Sequence, residues 1–210
     1  KKSPVCLFAI DEAHCISEWG HNFRPEYRQL SALKKHFPSV PLIALTATAI
    51  PAVRKDISRQ LGLSEHREFV GSFNRKNLQY RILPKKDALN TILTYVRQHR
   101  DDSGIIYCLS KKETEDMAEK LRKSGFKARA YHAGLSKKVR ENVQDQFIHD
   151  NIAVVCATIA FGMGIDKPDV RFVIHYDVPK SIESYFQETG RAGRDGGDSE
   201  CILFYSRGDV

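Results

Sequence analysis

The sequence predicts an α/β protein built on parallel sheets with helices on both faces. Continuous apolar, β-rich runs alternate with helical patterns from one end of the 210-residue chain to the other. Runs without polar/apolar alternation mark strands covered on both faces, and the intervening stretches are long enough for the crossover helices that parallel strands need. A hydrophobic fraction of 41% with 28% charged residues belongs to a globular chain that can bury a real core.

The strand runs are Val5–Ile10, Pro41–Leu45, Gly104–Cys108, Ile152–Ala157, Arg171–His175 and Glu200–Phe204. Pro25 opens a helix over Glu26–Phe37, where Tyr27, Leu30, Leu33 and Phe37 recur at helical spacing. Pro51 opens another, which Gly62 closes after Leu61. Around residues 72–77 the chain is polar and without period, which reads as a linker. It separates a first part, 1–71, with two strands only, from a second, 78–210, with the five or six strands of a whole domain. In that second part Ser110-x-x-Glu113 is a capping box, and its helix should run to Ser124 with Gly125 as a left-handed terminator. Tyr131 ends a strand, and the helix after Ser136 carries Val139, Val143 and Phe147 on one face.

Composition narrows the function classes. Lysine and arginine total 33 against 26 acids, a net charge of +7 that permits phosphate-backbone binding without demanding it. The five cysteines are far apart and form no C-x-x-C pair, so a zinc site from this set is not expected. Cys6, Cys108 and Cys156 lie within strand runs and are expected to be buried as small hydrophobes. No run reaches membrane-spanning length, and Val5–Ile10 is too short for a signal peptide, so an intracellular protein is expected.

The chemistry-bearing residues fall at strand ends. Asp11-Glu12-Ala13-His14 directly follows the first strand, where parallel sheets gather ligands. One carboxylate there can hold magnesium through its waters, and the next can orient a water for attack on a γ-phosphate. Gln187, Arg191 and Arg194 are spaced by four and three, so on a helix they share one face, and two guanidinium forks suit a polyphosphate. A solvated basic face is the plainer alternative. Thr46-Ala47-Thr48 ends the second strand, where small hydroxyl side chains are expected to hydrogen-bond to the acid pair or to another domain.

The segment from Ser17 to Tyr27 interleaves Trp19, Phe23 and Tyr27 with His21 and Arg24. Single-stranded DNA bases stack on such faces while arginine reaches phosphate, unless Trp19 and Phe23 simply fill the core beneath a loop. His132 after Tyr131 is a structural histidine or a contact. In the stretch Thr158 to Asp166, Gly162 and Gly164 permit close backbone approach to a phosphate or a neighbouring domain, and Asp166 can meet the arginines.

In combination and order, these motifs resemble those of superfamily 2 helicases, specifically the RecQ family. DEAH at 11–14 resembles motif II, TAT at 46–48 motif III and IIYCLS at 105–110 motif IV. ATIAFGMGID at 157–166 resembles motif V, and QETGRAGRDG at 187–196 motif VI. DEAHCISEWGHNFRPEY at 11–27 resembles the RecQ aromatic-rich loop. The resemblance implies one complete RecA-like domain plus the C-terminal part of another, with ATP and Mg2+ bound in the cleft of a two-domain motor.

By that resemblance Asp11 organises magnesium through water and Glu12 activates the attacking water. Arg191 and Arg194 are the finger pair, and His14, Gln187, Gly164 and Asp166 attend the nucleotide. Trp19, Phe23 and Arg24, with Ser110, His132 and Thr158, contact single-stranded DNA. The implied activity is 3′ to 5′ unwinding of forked DNA in recombination and repair, nucleoid-associated in the cytoplasm of a prokaryote or nuclear in a eukaryote. Membrane association is not implied.

Two departures stand out. Lys111 occupies a place where the family often has arginine, which puts a bidentate contact in doubt. No G-x-x-x-x-G-K-S/T phosphate loop occurs, and the adenine-reading glutamine segment, zinc module and winged helix are not present. The chain is therefore expected to be part of a longer protein and, by itself, to hydrolyse no ATP. Two other readings stand beside this one. A helicase-like module that binds nucleic acid without hydrolysis would need none of the acids and arginines. An RNA helicase of the DEAD type would not need the Trp19–Tyr27 loop.

Overall fold

The computed structural model describes residues 4–20, 23–72, 74–162 and 165–209. The chain divides into two units, Lys1–Ser72 and Phe73–Val210.

In the first unit β1 (Phe8–Ile10) and β2 (Leu42–Ala44) pair in parallel, Phe8 opposite Leu42 and Ile10 opposite Ala44. Both strands are shorter than their apolar runs. The expected burial of Cys6 does not hold: it is exposed, as are Val5 and Leu7 beside it. Strand pairing begins only at Phe8, so the preceding residues have no sheet neighbour to cover them. The expected helix from Pro25 is a 3-10 helix over Pro25–Ser31 that becomes α only in α1 (Ala32–His36). Tyr27, Leu30 and Leu33 are three apart, which is the 3-10 repeat, and all three pack on the core. α2 (Pro51–Gln60) starts at its proline, and Gly62 follows with φ +67°. Val53 and Ile57, one turn apart, join Ile10, Ile16 and Leu61 in the buried cluster.

The second unit is a six-stranded sheet in the order β3-β8-β7-β4-β6-β5, parallel throughout. Its elements are β3 (Leu78–Pro84), α3 (Ala88–Gln98), β4 (Ser103–Tyr107), α4 (Lys111–Lys123) and β5 (Ala128–Tyr131). They continue with α5 (Lys137–Ile148), β6 (Val154–Ala157), β7 (Val170–His175), α6 (Ile182–Thr189) and β8 (Ser199–Tyr205). Strand alternation builds two cores. Ile106, Phe172 and Ile174 meet Ile92 of α3 and Leu121 of α4, while Ile105, Tyr107 and Val173 meet Val143 and Phe147 of α5. The sheet is thus covered on both faces, as its continuous apolar strands require.

The helix ends follow their sequence signals. Ser110 Oγ accepts from Glu113 N at 3.1 Å while Glu113 Oε2 accepts from Ser110 N at 3.1 Å, and Gly125 takes φ +86°. Ser136 caps α5 by accepting from Val139 N. Of the three residues expected on the buried face of α5, Val139 is 45% exposed, because it lies in the first turn, ahead of Val143 and Phe147. Cys108 and Cys156 are buried as expected, and burial pushes both thiols well above their ordinary range. No helix among the described residues is long and apolar enough to cross a membrane.

Gly104 lies where Phe172 crosses β4: a Cβ there would stand 1.9 Å from Phe172 Cε2. Gly104→Ala is predicted to cost about 1–3 kcal/mol, the usual range for overpacking. Urea unfolding checks it, and an unchanged midpoint contradicts the packing. A second prediction concerns pH. Lys85 Nζ joins Asp177 Oδ1 at 2.7 Å and Asp209 Oδ1 at 2.8 Å. Hydrogen bonds from Lys85 and then Ser206 lower the Asp209 carboxyl from 3.8 to about 2. A depressed carboxylate stabilises the fold above its unfolded value and loses that contribution as pH falls through the folded one. The melting difference between wild type and Asp209→Asn should therefore be full at neutral pH and shrink between 3.8 and about 2.

Candidate functional site

Asp11 and Glu12 leave β1 at its carboxyl end, the ligand-gathering edge of a parallel sheet. The chain turns sharply there. Glu12 is left-handed, φ 49° and ψ 40°, and its N–H donates to Asp11 Oδ1 at 2.8 Å. That conformation costs a residue with a side chain roughly 1–2 kcal/mol and persists where the surroundings enforce it. Here Ala13 N donates to Leu45 O at 2.9 Å and Ala13–Ile16 is wholly buried. The turn sends the two carboxylates outward, Asp11 exposed and Glu12 partly so, while His14 points in. His14 Nδ1 lies 3.0 Å from Thr46 Oγ1 and 3.3 Å from Glu12 Oε2. One buried imidazole therefore touches both Glu12 and Thr46, the threonine that follows β2's run.

Among the described residues no group of three or more side chains could by itself hold a metal. Magnesium in phosphate sites needs only one or two carboxylates, its other positions going to waters and phosphate oxygens. An exposed Asp11, oriented by the Glu12 amide, fits that requirement.

The aromatic segment folds back on this turn. Arg24 N donates to Cys15 O at 2.8 Å, and a Cβ on Gly20 would stand 2.4 Å from His14 O. Trp19 is 76% exposed, so it does not fill the core. Phe23 is half-buried beneath Arg28, whose Cζ stands 5.0 Å from the ring centre, and Arg24 is exposed. His21 lies outside the described residues.

In the second unit the expected helical face does not extend to the arginines. α6 carries Gln187 but stops at Thr189, and Arg191 and Arg194 lie in the turn that follows. Gly190 caps the helix, and Gly193 has φ +54°, a conformation no helix continues. The turn aims both side chains at the segment after β6. Arg191 Nη1 donates to Gly162 O at 2.5 Å, and Arg194 Nη1 donates to Ile165 O at 3.1 Å and to Asp166 Oδ1 at 2.9 Å. Asp166 thus meets one of the two arginines, Arg194, while Arg191 bonds to the Gly162 carbonyl instead. Gly164 lies outside the described residues.

Ser110, His132 and Thr158 follow the ends of β4, β5 and β6, whose last residues Tyr107, Tyr131 and Ala157 are in register. These three expected DNA contacts share one rim of the sheet. Ser110 Oγ is occupied by its capping box, and buried His132 Nε2 lies 2.9 Å from Glu115 Oε1. Thr158 Oγ1 accepts from Ala160 N at 3.4 Å. Lys111 reaches the same rim, its Nζ 3.2 Å from where a Cβ on Gly134 would stand.

Sequence reasoning missed two features. Arg75 and Asn77, read as linker, donate to the carbonyls of Gly190, Gly193 and Gly197. No periodicity could reveal ties across more than a hundred residues. His175 and Glu188 form a buried pair, Nε2 to Oε2 2.7 Å, with the His175 ring stacked on Tyr107. A histidine ending an apolar strand was the only available signal.

Residues 84–196 match the helicase conserved C-terminal domain family. The chain is 57% identical over 210 residues to the RecQ-like DNA helicase BLM of Xenopus laevis, covering 98% of this chain and 15% of that protein. It is 54% identical over 207 residues to the ATP-dependent DNA helicase RecQ of Haemophilus influenzae, covering 99% of this chain and 33% of that one. The chain therefore spans at most about a third of the length of these two relatives. Among solved structures, Saccharomyces cerevisiae Dbp5 bound to RNA and ADP–beryllium fluoride shares the fold, with TM-score 0.74 at 23% identity over 95% of this chain and 53% of that one. A DEAD box protein of Methanococcus jannaschii gives TM-score 0.64 at 26% identity over 97% and 54%. The RecA-like class expected from the sequence is the class observed.

Proposed function

This chain belongs to the helicase conserved C-terminal domain family and is of RecQ type, and on that premise we propose that it is motor machinery of an ATP-dependent DNA helicase. In this reading the full-length protein couples ATP hydrolysis to 3′ to 5′ movement along single-stranded DNA, unwinding forks in recombination and repair. The observation that carries it is the buried His14 held between Glu12 and Thr46. A helix or loop that merely bound nucleic acid would have no use for two outward carboxylates fixed on a left-handed turn at a strand's carboxyl end.

The roles follow from the chemistry of each group. Asp11 orients the waters of Mg2+, which when bound supplies positive charge at the phosphate oxygens. Glu12 aligns the attacking water and accepts its proton. Arg191 and Arg194 give up local partners to neutralise charge that develops on the transferring phosphoryl group. Arg194 can do so readily, since its acidic partner Asp166 is 90% exposed and a surface ion pair is worth at most about 1 kcal/mol. His14 and Gln187 report the state of the nucleotide, and Gly164 and Asp166 approach it. Trp19, Phe23 and Arg24 engage single-stranded DNA by stacking and charge, and Ser110, His132 and Thr158 line its path. The exposure of Trp19 supports stacking.

In the full-length gene product, Glu12→Gln is predicted to lower DNA-stimulated ATP turnover at least about 100-fold while nucleotide binding persists. Trp19→Ala should weaken single-stranded DNA binding roughly 5- to 150-fold, the equivalent of about 1–3 kcal/mol per stacked base. Turnover assayed with single-stranded DNA and with RNA checks both the chemistry and the substrate. Unaltered turnover in Glu12→Gln would return the protein to the class of non-catalytic binding modules, and stimulation by RNA alone would make it an RNA motor.

A further inference from the structure

The turn that bears both arginines is held from outside by two side chains far earlier in the chain. Arg75 Nη1 donates to Gly190 O at 3.0 Å, and its Nη2 donates to Gly193 O. Asn77 Nδ2 donates to Gly193 O and Gly197 O, both at 2.9 Å. These carbonyls flank Arg191 and Arg194 on either side. A guanidinium holds its donors in a rigid fork, so one residue fixes the separation of two carbonyls that a lysine would leave free. The backbone itself needs such a tether. Gly190 ends the helix, Gly193 takes φ +54°, and Gly196 takes φ +86°. Three glycines within seven residues leave the turn with many alternative conformations in the absence of external ties. The pocket that receives the tether is close-fitting, since a Cβ on Gly193 would stand 2.5 Å from Asn77 Nδ2.

We propose that Arg75 and Asn77 are positioning residues for ATP turnover, setting the direction of Arg191 and Arg194 by clamping the carbonyls of Gly190, Gly193 and Gly197. Neither clamp residue touches the nucleotide in this account, which rests on the motor reading above. Because the clamp lies only a few residues beyond Ser72, where the first unit ends, the strand of chain joining the units is fastened to the arginine turn. Release or strain of that connection is then felt by the arginines directly.

The test uses the full-length gene product, with Arg75→Ala, Arg75→Lys and Asn77→Asp compared with wild type. Steady-state ATP turnover should show kcat lowered roughly 10- to 100-fold in Arg75→Ala, as expected when a reacting group is misplaced by about 1 Å. The nucleotide KM should stay within about twofold, because substrate binding is untouched. Arg75→Lys and Asn77→Asp should fall between. Added guanidinium should restore part of the Arg75→Ala rate, since it can refill the vacated fork. Hydrogen exchange should accelerate at Gly193 and Gly196, whose amides donate to Val170 O and Gly193 O, and not at the amides of β4. Unchanged kcat in Arg75→Ala overturns the proposal. Faster exchange throughout the six-stranded sheet, or no response to guanidinium, overturns it too, since Arg75 would then only support the fold. Absence of ATP turnover in wild type would sink the motor reading and this proposal with it, whereas normal wild-type turnover with an indifferent Arg75→Ala sinks the clamp alone.

Discussion

Parallel strands cannot be joined by tight turns, and that restriction governs where this protein can present polar side chains. Each return from a carboxyl end to the next amino end needs a crossover, so every strand emits a loop on one edge and receives one on the other. Asp11 and Glu12 occupy the emitting edge of β1, and Ser110, His132 and Thr158 occupy the emitting edge of β4, β5 and β6. The apolar faces of those strands are spent on packing, Ile105 and Tyr107 against one helical layer and Ile106 against the other. Polar side chains are left to the edges, with the sheet as a rigid support beneath them. The segment after β6 runs on from this rim to the place where Arg191 and Arg194 meet it.

Each polar group is also locally engaged, and the strength of that engagement differs in an instructive way. His14 is buried with partners on two sides, so its imidazole is a fixed link between Glu12 and Thr46. Arg191 donates to a carbonyl and Arg194 to a carbonyl and an exposed carboxylate. A guanidinium has five donors, so neither arginine is exhausted by these bonds. Phosphate oxygens offer a guanidinium the same fork geometry with more charge. The resting contacts therefore hold the arginines in place without committing them, whereas the backbone carrying them is committed by Arg75 and Asn77.

How much of this was legible follows from burial. The four central strands of the six-stranded sheet, together with β1 and β2, announce themselves as apolar runs. The two strands without such a run are the two edges of the sheet: β3, which went unread, and β5, of which only the end at Tyr131 was read. β3 runs Leu78–Pro84 with most residues exposed, and β5 is four residues with an exposed Arg129, so neither needs a continuous apolar run. Caps were legible because they are local: Ser110 and Glu113 are three residues apart. The arginine turn was not, since a spacing of four and three describes a helix only if nothing interrupts it, and Gly190 and Gly193 do. Cys6 was misread for a related reason, because an apolar run does not say where pairing starts. The acid pair was found because it abuts a strand, and the exposure of Trp19, undecidable from its neighbours, follows from a loop folded tightly enough for Gly20 to rest on His14.

Every functional claim reduces to whether the carboxylates of Asp11 and Glu12 and the guanidinium groups of Arg191 and Arg194 serve the same triphosphate. The most direct measurement is a crystal structure of the full-length gene product with Mg2+ and a slowly hydrolysed ATP analogue. The account predicts Glu12 within one water of the γ-phosphorus, Asp11 next to the metal's waters, and at least one of the two arginines moved from its carbonyl partner onto a phosphate oxygen. A nucleotide bound with both arginines still on Gly162, Ile165 and Asp166, and out of its reach, would contradict it.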